Sequence, residues 1–244
     1  CPPLRSPTAP ISAKRFVYCV SGQVNTFNPQ KVSSGLIVDT LAAQIYDRLL
    51  DVDPYTYRLV PELAESWEVL DNGATYRFHL RRHVPFQRTA WFTPTRDFNA
   101  DDVIFTFGRI FNRDHPWHNV NGSSFPYFDS LQFADSVESV RKLDNQTVEF
   151  RLSAGASFLW HLATHYASIT SAEYAARLTQ DDRQEQLDRQ PVGTGPFQLS
   201  DYRSGQYVRL QRHPGYWRGK PLMPQVVVDL GSGGTGRLSK LLTG

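Results

Sequence analysis

The segment from Asp229 to Gly236 has the clearest chemical signature in the sequence. It reads DLGSGGTG, follows an apolar VVV run, and places Gly231, Gly233 and Gly236 at the spacing G-x-G-x-x-G. Glycines between a strand and a helix let the backbone approach a nucleotide cofactor, with helix N–H groups facing its anionic part. A dinucleotide fingerprint also needs a second strand and an acidic residue about 20 positions further on, and only eight residues follow the motif in this sequence. An S-adenosylmethionine or dinucleotide enzyme is one hypothesis; a glycine-rich turn is the other, which we favour.

Two histidine pairs have spacings that metal sites use. His161 and His165 lie four residues apart, and His115 and His118 lie in the loop DHPWHN. A spacing of four puts two imidazoles on one helix face, where they can share a zinc ion. The glutamate that a zinc hydrolase has after the first histidine is Leu162 here. We expect structural histidines and keep a haem or metal carrier as an alternative.

An unusually aromatic loop covers residues 112–130. Exposed aromatic surface usually has a function, so such a loop either packs down as a plug or lines a ligand site. Composition does not choose between the two. The residues concerned are Trp117, His118, Asn119, Asn121, Phe125, Tyr127 and Phe128.

Motifs of covalent catalysis do not occur in this sequence. It contains no G-x-S-x-G, P-loop or C-x-x-C pattern. The adjacent carboxylates Asp101 and Asp102 are typical of the first turn of a helix, where acidic groups favour the positive end of the helix dipole. The sequence therefore offers no identifiable nucleophile and base for a hydrolase.

Strands and helices alternate along the sequence. Phe16–Val20 and the alternating TYRFHL of 75–80 are typical of strands. Apolar spacing predicts a helix over 37–50, with Ser33 or Ser34 capping its start, and Asn99 and Ser171 are predicted to cap two further helices. Residues 1–14 contain four prolines and form a flexible lead-in. The fold class is therefore mixed, α/β or α+β.

Composition narrows the class of partner. The 244 residues include 26 basic and 24 acidic side chains, giving a net charge of +2, which does not indicate nucleic acid binding. Hydrophobic residues make up 40% of the chain, enough for a core. No stretch approaches the roughly 20 apolar residues of a membrane span.

Four motifs in register resemble one family. They are PELAESWEVLDNGATYRFHLRRHVPF from Pro61, FNADDVIFTFGRI from Phe98, PVGTGPFQL from Pro191 and GYWRGKP from Gly215. Together they are similar to the family 5 extracellular solute-binding proteins, which serve peptide, dipeptide and nickel ABC importers. The resemblance extends from about Phe16 to Gly244.

The resemblance implies the first lobe of a two-lobed fold of the periplasmic binding protein II type, with the second lobe absent. It divides the chain into the lead-in 1–14, a core α/β subdomain of 15–46 plus 169–244, and an inserted β-rich subdomain of 47–168. This division requires Phe16–Val20 to pair with strands between residues 192 and 230.

The resemblance also implies a site and partners. In the family, the segment matching Ser33-Ser34-Gly35-Leu36 faces the cleft and hydrogen-bonds an extended peptide, and the aromatic loop faces the ligand. The implied ligand is a peptide, such as an antimicrobial peptide, and the implied partner is an ABC permease. The resemblance further implies a periplasmic monomer that is not an enzyme, has no cofactor and binds no nucleic acid. The expected ligand-binding residues are Ser33, Ser34, Gly35, Leu36, Trp117, Asn121, Phe125, Tyr127 and Phe128.

Overall fold

The computed structural model describes residues 15–33, 35–153 and 157–231. The lead-in 1–14, Ser34 and the glycine-rich segment beyond Gly231 lie outside this part of the chain. The strands described are β1 (Arg15–Cys19), β2 (Leu50–Val52), β3 (Leu59–Pro61), β4 (Ala64–Leu70), β5 (Thr75–Leu80), β6 (Val137–Asp144), β7 (Thr147–Leu152), β8 (Phe197–Arg203), β9 (Tyr207–Arg212) and β10 (Gln225–Asp229). The α-helices described are α1 (Ala43–Ile45), α2 (Ala100–Phe111), α3 (Pro126–Ser130), α4 (Phe133–Ser136), α5 (Phe158–Leu162) and α6 (Ala172–Gln180). No helix in the described ranges is long and apolar enough to cross a bilayer.

One four-stranded sheet joins the two ends of the described chain. Its order is β1-β10-β9-β8, and β1 runs parallel to β10, from Arg15 opposite Gln225 to Cys19 opposite Asp229. The inner face is fully buried at Val208, Leu210 and Val228 and shares its apolar core with Leu41 and Ile45. This is the pairing that the predicted division requires; the division itself stays a prediction.

A second four-stranded sheet, entirely antiparallel, has the order β4-β5-β7-β6. Strand β5 alternates as its sequence predicts, with Tyr76, Phe78 and Leu80 buried. The turn before it places Asn72 at a φ of 53°, the left-handed region that Asn tolerates well. Phe78 meets Phe150 of β7 edge to face, with ring centroids 5.6 Å apart, so cross-strand aromatic packing builds this core.

Helix α2 covers the antiparallel sheet and begins as predicted. The side chain of Asn99 accepts a hydrogen bond from the Asp101 backbone N–H at 2.8 Å, and the Asp102 carboxylate accepts one from the Asn99 N–H at 2.9 Å, which is a capping box. Asp102 is also fully buried against Arg96, with contacts of 2.7 and 2.9 Å. The Asp102 carboxylate also accepts a hydrogen bond from the Ala172 N–H at 2.8 Å. This bond connects the start of α6 to α2.

Helix α6 begins after the Ser171 cap, as predicted, since the Ser171 hydroxyl accepts a hydrogen bond from the Tyr174 N–H. Its buried side chains Tyr174, Ala175 and Leu178 lie in the apolar core of the antiparallel sheet. The predicted division groups this helix instead with the sheet that contains β1.

The predicted helix over 37–50 is shorter in the structure. A π-helix spans Ile37–Ala42, α1 follows, and Tyr46 is already extended at φ −121° and ψ 154°. The apolar spacing continues past this point because Leu49 and Leu50 are buried in the other core. Leu36 occupies the cap position without a side-chain hydrogen bond. Ser33 is therefore not the cap, and Ser34, the other predicted cap, lies outside the described residues.

The fully buried side chain of Gln87 joins the loop that follows β5 to α1 and to the start of β8. Its Nε2 donates to the carbonyls of Ile45, Gly195 and Phe197 at 2.8, 3.2 and 2.8 Å, and its Oε1 accepts from the Gly193 N–H at 3.0 Å. Gly193 and Gly195 lie against the Ile45 backbone so closely that neither has room for a Cβ. The glycines of the VGTGPF motif are therefore needed for backbone contact.

Candidate functional site

The segment predicted to bind ligand lies at the start of the π-helix. Ser33 and Gly35 are exposed and Leu36 is half-buried. Gly35 has a φ of 93°, a conformation in which glycine is strongly preferred. The Ser33 carbonyl accepts a hydrogen bond from the Tyr166 hydroxyl at 2.6 Å. A side chain from a distant part of the chain therefore holds this exposed backbone in place.

Tyr166 connects this segment to the aromatic loop. Its ring stacks on Tyr127, with centroids 4.1 Å apart and planes within 8°. The Tyr127 hydroxyl lies 2.8 Å from Nδ1 of His161, and burial raises the pKa of Tyr127 and lowers that of His161. The structure thus brings Ser33 and Tyr127 together through Tyr166, a residue that the sequence analysis did not select. Its position after His165, in a short apolar run, gave no signal of this contact.

Most of the aromatic loop is packed into the protein. Trp117, Phe125 and Phe128 are buried, with exposed fractions of 7%, 0% and 2%. Trp117 meets Phe105 edge to face at 5.5 Å, and Phe128 meets Phe111 at 5.7 Å. These three side chains therefore pack into the protein and do not line an open surface. Tyr127 is half-buried and Asn121 is exposed.

Lys31 binds the aromatic loop of residues 112–130. Its Nζ donates to the Gly122 carbonyl at 2.6 Å and lies 3.9 Å from the centroid of the Phe125 ring. Burial, and secondly the nearby Arg109 guanidinium, lower the pKa of the Lys31 amine to about 8. The cation–π contact and the hydrogen bond place a positive charge beside the segment that begins at Ser33.

A buried polar network lies beneath this surface. The Asp188 carboxylate accepts hydrogen bonds from the amides of Asn28 and Asn121 at 2.7 and 2.9 Å. Nearby, Arg109 is 1% exposed and donates to Oε1 of Gln30 at 2.6 Å. Satisfied buried networks of this kind rigidify the groups they join, so Asn121 at the surface is positioned from below.

The histidines do not form a metal site in the described part of the chain. No group of three or more His, Cys, Asp or Glu side chains in it could hold a metal ion. His118 Nδ1 lies 2.8 Å from the Arg109 carbonyl. Burial lowers the pKa of His165 to about 4, so this imidazole is neutral at pH 7.

The glycine-rich motif is described only as far as Gly231. There the Asp229 carboxylate accepts a hydrogen bond from the Gly231 N–H at 3.0 Å. The remaining residues of the motif lie outside the described ranges.

Comparisons with known proteins agree on one family. Residues 58–244 match the family model described as bacterial extracellular solute-binding proteins, family 5, middle. The chain is 83% identical over 243 residues to the peptide transport periplasmic protein SapA of Salmonella typhimurium, covering 99% of this chain and 44% of that protein. It is 81% identical over the same length to the probable ABC transporter periplasmic-binding protein SapA of Escherichia coli K12, again covering 99% and 44%.

A solved structure shows the same fold. The dipeptide-binding protein of Pseudoalteromonas sp. SM9913, in complex with Met-Leu, superposes with a TM-score of 0.92 at 39% identity, covering 94% of this chain and 46% of that one. The chain therefore spans less than half the length of these relatives. The mixed fold is that of periplasmic binding proteins, and neither the nucleotide enzyme nor the haem or metal carrier is supported. The chain belongs to the family 5 bacterial extracellular solute-binding proteins.

Proposed function

We propose that this chain supplies one wall of a peptide site in a solute-binding protein. The observation that carries the proposal is the exposed backbone at Ser33 and Gly35, held by the Tyr166 hydroxyl beside the Tyr127–Tyr166 stack. Exposed main chain can hydrogen-bond an extended peptide whatever its side chains are. The stacked rings offer an apolar surface next to that backbone.

The buried and exposed residues of the predicted site have different roles in this proposal. Ser33, Gly35, Leu36, Asn121 and Tyr127 reach the surface and would contact the ligand. Ser34 joins them on the family resemblance alone, because it lies outside the described residues. Trp117, Phe125 and Phe128 are buried and would support the contact surface.

The whole protein would capture peptide between this part and a second lobe. Ligand contacts with both lobes favour the closed state over the open one, because a ligand shifts a conformational equilibrium toward the state that it binds more tightly. The loaded protein would then deliver its peptide to an ABC permease. A periplasmic location is supported by the names of the two SapA relatives.

Peptide binding by the full natural protein that contains this chain tests the proposal. Calorimetric titration with Met-Leu and with trialanine should show saturable binding. Tyr166→Phe removes the hydrogen bond to the Ser33 carbonyl and should raise the Kd several-fold, since such a bond contributes about 1 kcal/mol. Tyr55→Phe alters a tyrosine that is 90% exposed and should leave the Kd unchanged. A protein that binds neither peptide, or a Tyr166→Phe variant with unchanged affinity, would contradict this assignment.

A further inference from the structure

A cavity lies between the loop 85–97 and the sheet that contains β8 and β9. Its volume is about 840 Å³, and its lining includes Arg88, Arg96, Gln198 and Arg212. Small-molecule sites commonly have volumes of about 300–1,000 Å³. The cavity shares none of its lining residues with the candidate peptide site.

The charge of this cavity is positive and only partly compensated. Arg96 is bound by the Asp102 carboxylate at 2.7 and 2.9 Å. Arg88 and Arg212 have no ion-pair or hydrogen-bond partner for their guanidinium groups within the described ranges. Asp97 is the one acidic side chain among the lining residues in the described part of the chain. Guanidinium groups bind oxyanions with strong, directional hydrogen bonds.

Gln198 adds an acceptor that lacks a partner. The residue is 4% exposed, and its Nε2 donates to the Arg88 carbonyl at 2.7 Å. Its Oε1 is buried and receives no hydrogen bond from the described residues. Buried polar atoms are nearly always hydrogen-bonded in native proteins. Because Oε1 has almost no accessible surface of its own, we expect the Gln198 amide to turn toward a group in the cavity that donates a hydrogen bond.

Four prolines give the cavity stiff walls. Pro85, Pro94, Pro214 and Pro224 all line it. Proline fixes its own φ and has no N–H to donate. These walls therefore hold their shape but provide few backbone donors, which leaves the recognition of an anion to the arginine side chains.

We propose that this cavity binds a small molecule carrying a phosphate group and a hydroxyl. The guanidinium groups of Arg88 and Arg212 bind the phosphate oxygens, and the hydroxyl donates to Oε1 of Gln198. Arg88 comes from the loop 85–97 and Arg212 from the end of β9, so the ligand bridges two parts of the fold. The site is independent of the proposed peptide function.

Thermal unfolding of the full natural protein in inorganic phosphate at pH 7, without peptide, tests the site. A ligand that binds only the native state raises the Tm in proportion to the logarithm of its concentration above the Kd. We expect a saturable calorimetric signal and a Tm that rises with phosphate. The double variant Arg88→Gln/Arg212→Gln should raise the Kd at least tenfold. Arg203→Gln, on the same sheet but outside the cavity, is the matched control and should bind as the wild type does.

Two further ligands sharpen the test. Sulfate carries no hydroxyl at pH 7, so it should bind several-fold more weakly than hydrogen phosphate, and Gln198→Leu should abolish that preference. Glucose 6-phosphate distinguishes a phosphate ester from free phosphate as the ligand. A Kd lower than that of inorganic phosphate identifies a phosphate ester, and a higher Kd identifies free phosphate. No binding up to 20 mM phosphate, equal binding by the double variant, or equal binding of sulfate and phosphate by the wild type would overturn the proposal.

Discussion

The glycines of the VGTGPF motif make the sharpest prediction for a single residue. A Cβ at position 195 would lie 2.6 Å from the Ile45 carbonyl carbon and 2.7 Å from the Gln44 oxygen, both backbone atoms. Gly195→Ala should therefore destabilise the protein by about 3 kcal/mol or more, since overpacked cores lose this much when the neighbours cannot move. Urea unfolding measures the loss.

A glycine with ordinary space around it is the control. A Cβ at Gly108, within α2, would meet only the His115 ring at 3.5 Å. Gly108→Ala should raise the stability by up to about 1 kcal/mol, because alanine loses less conformational freedom in a helix. Changes of the same sign in the two variants would contradict this account of the motif.

Glu62 makes stability depend on pH. Burial raises the pKa of its carboxyl to about 7 despite the Arg48 side chain 3.1 Å away. The native state thus holds the proton more tightly than the unfolded chain does. The stabilisation from this proton is fully present below pH 4.5 and is lost as the pH rises through about 7. The free energy of unfolding should fall by a few kcal/mol across this window.

The variant Glu62→Gln tests that dependence. Between pH 5 and pH 8 its free energy of unfolding should vary less with pH than that of the wild type, because the amide does not titrate. Glu65→Gln removes an exposed carboxylate from the same segment and should keep the wild-type slope. Urea unfolding at several pH values decides the matter; parallel curves for the wild type and Glu62→Gln would exclude Glu62 as the source.

Among the secondary-structure elements, helix α2 should depend on its N-terminal cap for stability. Asn99→Ala removes the acceptor of the Asp101 N–H and should cost about 1 kcal/mol of stability. Asn99→Ser keeps an acceptor at the same place, and serine caps helices about as well as asparagine. Chemical unfolding should therefore separate the two variants, and an alanine variant as stable as the serine one would show that the cap contributes nothing.

Elements with a local signal were predicted well from the sequence. Strand β5 alternates in every position from Tyr76 to Leu80, and the caps Asn99 and Ser171 precede the helices that they start. The helix predicted over 37–50 is too long because Leu49 and Leu50 continue its apolar spacing. These two leucines pack into the core of the antiparallel sheet. Spacing reports that a side chain is buried, but it does not tell which core buries it.

At the scale of the whole molecule, Gln87 should couple the loop that follows β5 to the sheet that contains β8. Gln87→Leu would leave the carbonyls of Ile45 and Phe197 and the Gly193 N–H without this partner. Unpaired buried groups each cost about 1–3 kcal/mol. We expect a large loss of stability and unfolding in two steps, visible as separate transitions in tryptophan fluorescence and far-ultraviolet circular dichroism. Gln206→Leu, at an exposed position, should unfold in one step as the wild type does.

The family was identified from four motifs, but the candidate site was only partly predictable. Ser33 and Tyr127 came from the resemblance, and their connection through Tyr166 depends on a stacking contact between residues far apart in the sequence. Long-range contacts of this kind leave no periodic pattern. Composition left open whether Phe125 and Phe128 are buried, since an aromatic loop has the same composition whether it packs inward or faces a ligand. The resemblance favoured the ligand for both residues, whereas both are buried.

The parallel pairing of β1 with β10 also sets an order of events during synthesis. Roughly 200 residues separate Cys19 from Gln225, and chains grow at about 5–20 residues per second. Strand β1 is therefore synthesised on the order of 10–40 s before β10 exists, whereas β4 to β7 are all complete well before that. Throughout this interval Arg15–Cys19 lacks its partner β10, so the edge that β10 later pairs with is open to pairing with other chains.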